Sequence, residues 1–217
     1  NMMPTAEHFA AFVGKLGIDN ATNVVIYDRS YVSARVWWMF QRFGHHRTAI
    51  LDGGLRRWKA QGRPVESGER ARARAAVFRP SSAGDDIAVW QDGGAALSSG
   101  AEQVVDARPA DRFSGALPSG YPGLANGHMP GAVNLPWTTM MRQNGDFGFV
   151  GQAEAEAAFR AAGVDPDRPI VATCGSGVTA AVLAFQLQRM GKHGWKIYDG
   201  SWNEWGRRSD LPRASLT

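Results

Sequence analysis

The stretch Pro169-Ile170-Val171-Ala172-Thr173-Cys174-Gly175-Ser176-Gly177-Val178-Thr179 joins a short apolar run to a glycine-rich turn that holds the chain's one cysteine. An apolar helix is predicted to follow over residues 182–190. A sulfur so placed stands at the carboxyl end of a strand and the amino end of a helix, where unpaired N–H groups and the helix dipole favour thiolate over thiol. Gly175 and Gly177 let the backbone curl, so the amides of residues 175–179 are expected to form a shallow anion cradle. A lone cysteine is more often a small buried hydrophobe. A packed core cysteine, however, has no use for two glycines and two hydroxyl residues in the next five positions. The chemistry expected is nucleophilic attack by sulfur on a soft centre, such as a sulfur bonded to sulfur or to carbon.

The elements that must position this turn are legible in order. Thr5 is read as the cap of a helix carrying Phe9, Phe12, Val13 and Leu16, with Glu7 in its first turn and Gly17 near its end. Residues 23–27 read as a buried strand, and residues 33–43 as a helix apolar most of the way round at Trp37, Trp38, Met39 and Phe40. A second strand at 48–51 and a short helix at 55–60 complete a strand-helix-strand-helix pattern, the signature of a parallel sheet with helices on both faces. Strands are also expected at 103–106 and 132–135, helices at 87–97 and 152–162. A long Gly/Pro-rich loop over 113–127 borders a site.

The same order occurs twice. Residues 24–58 and 170–205 share an apolar strand, an acidic or thiol residue, an apolar helix, Gln-Arg-x-Gly, a strand, and Asp-Gly-x-x-x-x-Trp. Two copies signal duplicated domains and not a solenoid. Asp28 falls within a residue of the place of Cys174, so the first copy has no nucleophile and is expected to be structural, a wall of a cleft between domains. The organisation expected is a partial, non-catalytic domain at 1–65, a linker at 66–86 and a catalytic domain at 87–217. Phe78 pins the linker to a domain surface.

Composition narrows the class. With 217 residues, 44% hydrophobic and 20% charged, the chain is an ordinary globular one without an apolar run long enough for a bilayer. The net charge of +4 includes Arg70, Arg72, Arg74 and Arg79 in the linker, read as a solvated run and not as a nucleic-acid face. One cysteine forbids an internal disulfide, a Cys-x-x-Cys redox pair and a cysteine-based zinc site, so no metal or cofactor is expected. A reducing, cytoplasmic setting is expected, with no membrane partner. The opening Asn1-Met2-Met3-Pro4 has neither part of a signal peptide.

Cys174-Gly-Ser-Gly-Val-Thr179 resembles the active-site loop of the mercaptopyruvate sulfurtransferases, a branch of the rhodanese superfamily. The likeness extends through Val104-Val-Asp-Ala-Arg-Pro109, Arg112-Phe113, Gly127-His-Met-Pro-Gly-Ala-Val-Asn-Leu-Pro136 and Tyr198-Asp-Gly-Ser-Trp-Asn-Glu-Trp205. It implies an α/β fold of tandem rhodanese-like domains, each a mainly parallel sheet with helices on both faces, the first lacking an initial strand, helix and loop.

The resemblance further implies that Cys174 takes sulfur from 3-mercaptopyruvate or thiosulfate, holds it as a persulfide, and passes it to cyanide or a thiol. A thioredoxin-like reductant is among the implied partners. Gly175, Gly177, Val178 and Thr179 would bind through the loop, and Ser176 would handle protons. Arg112 would grip the donor's carboxylate. Where the family carries a second such arginine, this chain has Tyr121, a neutral phenol in place of a cation. Asp106 and Arg108 read as a structural ion pair, with Arg108 also counted among the binding residues for its positive potential. His128 reads as a loop brace, and Ala181 leaves no second cysteine for discharge. A cysteine phosphatase would need arginine six residues after the cysteine, where Ala180 stands. The alternative function is a catalytically impaired binding or sulfur-carrier module.

Overall fold

The computed structural model describes residues 2–29, 31–69, 73–81, 85–143, 145 and 148–216. Backbone packing divides the chain into two compact units, one of Met3–Gly84 with Gln143–Gly148, the other of Asp85–Arg142 and Phe149–Thr217 with Asn1–Met2.

In the smaller unit α1 (Ala6–Lys15) starts at Thr5, whose extended backbone lets Oγ1 accept the His8 N–H at 3.3 Å and so satisfies one orphan amide of the first turn. β1 (Val24–Ile26), α2 (Ser33–Arg42), β2 (Thr48–Ile50) and α3 (Gly54–Ala60) follow, and β1 pairs β2 in parallel. Phe9, Val13, Phe40 and Phe43 form the core, with Val24 and Ile26 packed against it. Val25 and Tyr27, by contrast, are 62% and 59% exposed. The strand expected to be buried is therefore half-buried, because alternate residues of a pleated strand face opposite ways. α2 buries Ala34, Trp37, Trp38 and Phe40, as its all-round apolarity requires.

Phe78 is buried and meets Phe9 edge-on at 5.6 Å. The Asn20 amide brackets Arg79, donating to its carbonyl and accepting its N–H, both at 2.8 Å, and the Ala76 N–H donates to the Gly14 carbonyl at 2.9 Å. This part of the linker is thus bound to the smaller unit, with Arg74 and Arg79 exposed. Arg70 and Arg72 lie outside the described residues.

In the larger unit the order is β3 (Ile87–Ala88), α4 (Trp90–Ser99), β4 (Gln103–Asp106), α5 (Ala110–Ser114), β5 (Val133–Asn134), a 3-10 turn (Trp137–Met140), α6 (Gln152–Ala161), β6 (Ile170–Thr173), α7 (Ala180–Arg189), β7 (Trp195–Tyr198) and α8 (Ser201–Trp205). Five parallel strands lie in the order β3-β7-β6-β4-β5. Val104, Val171 and Tyr198 pack with Ala96 of α4 and Trp202 and Trp205 of α8. Residues between them in the strands, Val105, Ile170, Ala172 and Ile197, point the other way and are equally buried, and α7 packs on β6 and β7. With both faces covered, the strands read as continuous apolar runs.

The chain leaves β6 toward β7 on one side and leaves β4 toward β5 on the other, so the border between β6 and β4 is a topological switch point. In open parallel sheets the crevice at the carboxyl ends of such strands is where ligands bind. Cys174 is the first residue after β6, and Ala107-Arg108 follow β4.

The smaller unit also holds a titratable group in its core. His45 is 2% exposed, with its ring 5.3 Å from Phe40 and 5.6 Å from Phe78. Burial holds its pKa below the ordinary histidine value, against an opposing contact with the Thr22 backbone. The unfolded chain takes up this proton at a higher pH than the folded one. The stabilisation is therefore full above about pH 6.5 and is lost as pH falls through the lower folded value. Melting temperature is expected to drop between about pH 7 and pH 5, and His45→Leu should flatten that slope. Equal slopes in the two proteins would contradict this.

Candidate active site

The loop 175–179 spans the gap between β6 and α7 and owes its shape to two glycines with different tasks. Gly177 has φ +74°, a left-handed conformation that side chains resist. Gly175 has no positive φ; a Cβ there would lie 2.8 Å from the Tyr121 hydroxyl oxygen and 3.0 Å from its ring. The expectation that both glycines serve backbone curl is therefore corrected: Gly175 serves the close approach of an aromatic side chain from the 119–126 loop.

Cys174 is 2% exposed, while Gly175, Ser176, Val178 and Thr179 are half-buried. The carbonyls of Cys174 and Gly175 accept N–H groups from Trp202 and Asn203 at 3.0 and 2.9 Å, which ties the loop to the first turn of α8. The expected ring of amide donors is smaller than the sequence implies. The Gly177 N–H is taken by Ser201 Oγ at 3.0 Å. Among the described residues no acceptor takes the amides of Gly175, Val178 or Thr179. Thr179 sits at the amino end of α7 in helical conformation, and its hydroxyl does not cap the helix.

A cation is brought close by a short relay. Arg112 lies in α5 with its Nη1 only 2.6 Å from where a Cβ on Gly120 would stand, so its guanidinium covers the backbone next to Tyr121. It is exposed and has no carboxylate partner among the described residues. Ser119 holds the loop in place: its N–H donates to Asn126 Oδ1 at 3.3 Å and its hydroxyl to the Tyr121 carbonyl at 3.1 Å. The Tyr121 hydroxyl itself has no hydrogen-bond partner among the described residues. Arg112 thus lies over Gly120, and Tyr121, the next residue, lies against Gly175 beside Cys174.

Arg108 and Asp106 form the structural ion pair expected, and only the count of Arg108 among the binding residues is corrected. The Arg108 side chain is 4% exposed and gripped by Asp106 through both carboxylate oxygens, Nε at 3.1 and 3.0 Å and Nη2 at 2.7 Å. Nη2 also donates to the Gly127 carbonyl at 2.9 Å, and the guanidinium lies 4.6 Å from the Trp202 ring centroid. A group so enclosed orients Trp202 and the 113–127 loop; it does not reach a ligand. His128 is the brace expected, with Nδ1 2.8 Å from the Phe113 carbonyl oxygen and its ring stacked on Phe113 at 3.9 Å.

In the first copy Asp28 occupies the cysteine's place. Its carbonyl accepts the Leu55 N–H at 3.1 Å, as that of Cys174 accepts the Trp202 N–H, and its carboxylate accepts the Ser33 N–H at 2.6 Å at the start of α2. Its side chain is occupied in holding a helix end. Reading the sequence alone missed Ser201, although a signal existed: the repeats align Asp-Gly-Gly with Asp-Gly-Ser. Among the described residues no group of three His, Cys, Asp or Glu side chains could hold a metal ion, and no helix is long and apolar enough to cross a membrane.

The family model for the Rhodanese-like domain matches residues 1–61 and 91–208. Human 3-mercaptopyruvate sulfurtransferase is 45% identical over 213 residues, covering 96% of this chain and 71% of that protein. Chicken thiosulfate sulfurtransferase is 38% identical over 212 residues, covering 96% and 72%. The crystal structure of SseA from Escherichia coli, a 3-mercaptopyruvate sulfotransferase, superposes with a TM-score of 0.81 at 33% identity, covering 93% of this chain and 74% of that one. The chain belongs to the rhodanese family and is a sulfurtransferase.

The contact between Tyr121 and Gly175 yields a test by paired substitution. Gly175→Ala drives a methyl group into the phenol and is expected to destabilise the protein by about 1–3 kcal/mol. Adding Tyr121→Ala should recover most of that loss, a coupling measured by denaturant unfolding of the two single variants and the double variant. Strict additivity would show that the two residues do not meet.

Proposed function

We propose that this sulfurtransferase takes sulfur from 3-mercaptopyruvate, with thiosulfate as a poorer donor, and delivers it to a thiol or to cyanide through a persulfide on Cys174. The observation that carries the reading is the placement of the chain's one cysteine at the switch point, in a loop whose Gly175 packs against the Tyr121 phenol. The catalytic part is assigned to residues 87–217, with 1–65 non-catalytic and 66–86 joining them. A carboxylate at Asp28 has no sulfur chemistry to offer.

In the loading step the Cys174 sulfur attacks the donor's sulfur. An S–S bond forms and the C–S bond breaks, its electron pair passing to the donor's methylene carbon to give the enolate of pyruvate. That enolate takes a proton, and pyruvate leaves. Ser176, two residues from the nucleophile, is assigned the proton transfer. Arg112 holds the donor's carboxylate and the Tyr121 hydroxyl adds one neutral hydrogen bond. The amides of Gly175, Val178 and Thr179 stabilise negative charge on the outer sulfur, as an oxyanion hole does for oxygen. Discharge follows when an acceptor thiolate attacks the outer sulfur and Cys174 departs as thiolate. No second cysteine exists in the sequence to resolve the persulfide, so the acceptor is external: a small thiol, cyanide or a thioredoxin-like protein. A nucleophile of this kind must stay reduced, which suits the cytoplasm.

Intact-mass measurement after incubation with mercaptopyruvate should show a gain of one sulfur atom, absent in Cys174→Ala, and loading should be faster than with thiosulfate. Faster loading by thiosulfate would overturn the donor assignment, and a sulfur gain in Cys174→Ala would overturn the site. Arg112→Ala is expected to raise KM for mercaptopyruvate by about tenfold or more, from loss of a charge-assisted contact, with a small change in kcat. An unchanged KM in initial-rate assays would remove Arg112 from the carboxylate site.

A further inference from the structure

We propose that Ser201 is the positioning residue of the Cys174 loop, and that its hydroxyl is the reason a side chain is kept in a left-handed backbone at this point. Ser201 has φ +51° and is the only non-glycine residue with positive φ among those described. Conformations of this kind persist in non-glycine residues when the surrounding structure compensates for them. The compensation is visible in the hydroxyl, which is fully buried. It donates to the Tyr198 carbonyl at 2.7 Å and accepts the Cys174 N–H at 3.2 Å and the Gly177 N–H at 3.0 Å.

A serine hydroxyl has one proton and two lone pairs. All are taken, so Ser201 has no capacity left for a donor or a persulfide and acts only through the loop it holds. The two amides it accepts belong to the nucleophile and to the residue three positions on. One oxygen thereby sets the width of the turn.

The first copy supplies the comparison. Gly54 stands where Ser201 stands, with φ +53°, and donors from the next residue reach the equivalent carbonyls, Leu55 to Asp28 and Trp202 to Cys174. A Cβ on Gly54 would lie 2.4 Å from the Asp28 carbonyl oxygen. The same turn is therefore built twice: with glycine, the residue that suits it, beside Asp28, and with serine beside the cysteine. The hydroxyl is what the second copy adds.

The proposal rests on the reading of Cys174 as nucleophile, and two substitutions in the full chain separate the hydroxyl from the backbone strain. Ser201→Gly removes both, while Ser201→Ala removes the hydroxyl and keeps a Cβ at positive φ. The melting temperature of Ser201→Gly is expected to exceed that of Ser201→Ala. In both variants, hydrogen exchange of a peptide spanning residues 173–178 should accelerate about tenfold or more. In both, kcat with mercaptopyruvate should fall about tenfold or more, with KM within about twofold. Native exchange and native kcat in Ser201→Gly would overturn the proposal, because serine would then be an accident of packing. Native exchange with a reduced kcat would overturn it as well, since the effect would not run through the loop. If the unmodified protein forms no persulfide, the function assigned above fails, while accelerated exchange in both variants would still establish the clamp.

Discussion

The loop that carries Cys174 has no regular structure of its own, and everything proposed for it depends on its attachment to the first turn of α8. The carbonyls of Cys174 and Gly175 accept from Trp202 and Asn203, and the amides of Cys174 and Gly177 donate to Ser201. Ordering a short loop costs about 1–2 kcal/mol of backbone entropy per residue, which these bonds and the packing behind them must offset. The anchor is firm because α8 is itself held. Trp202 and Trp205 are 1% exposed in the core against Val104, Val171 and Tyr198, and the Trp202 indole donates to the Ala125 carbonyl at 3.0 Å.

The buried Asp106–Arg108 pair belongs to this support. An enclosed ion pair is weak evidence of stabilisation, since desolvation of both charges opposes their attraction. Its geometry is informative all the same: Arg108 spans Asp106 at the end of β4, the Gly127 carbonyl and the face of Trp202. A residue that suggests substrate binding by its charge is instead a joint between the sheet, the 113–127 loop and α8. Arg112, by contrast, is exposed and lies over the backbone of Gly120, next in sequence to the Tyr121 that packs on Gly175.

Much of the architecture was legible because local signals and tertiary packing agree. The cap at Thr5, the all-round apolarity of α2, the apolar run of β6 and the duplication each follow from short-range pattern, and each has its counterpart in the structure. The failures share one cause. Backbone curl does not account for Gly175, and the strand at 23–27 is half-buried, because each expectation turns on which distant side chain is its neighbour. Spacing along a chain carries no such information.

Sequence by itself singles out Cys174 as the candidate nucleophile, since the 217 residues hold one cysteine. It also determined the strand-turn-helix setting, through hydrophobic period and glycine placement. Tertiary structure alone decided that Tyr121 leans on Gly175 and that Ser201, 27 residues beyond the cysteine, holds the amide next to the sulfur. Periodicity is a property of neighbours in sequence, whereas hydrogen-bond saturation and steric contact are properties of neighbours in space. Only the folded sheet brings the ends of β4, β6 and β7 together.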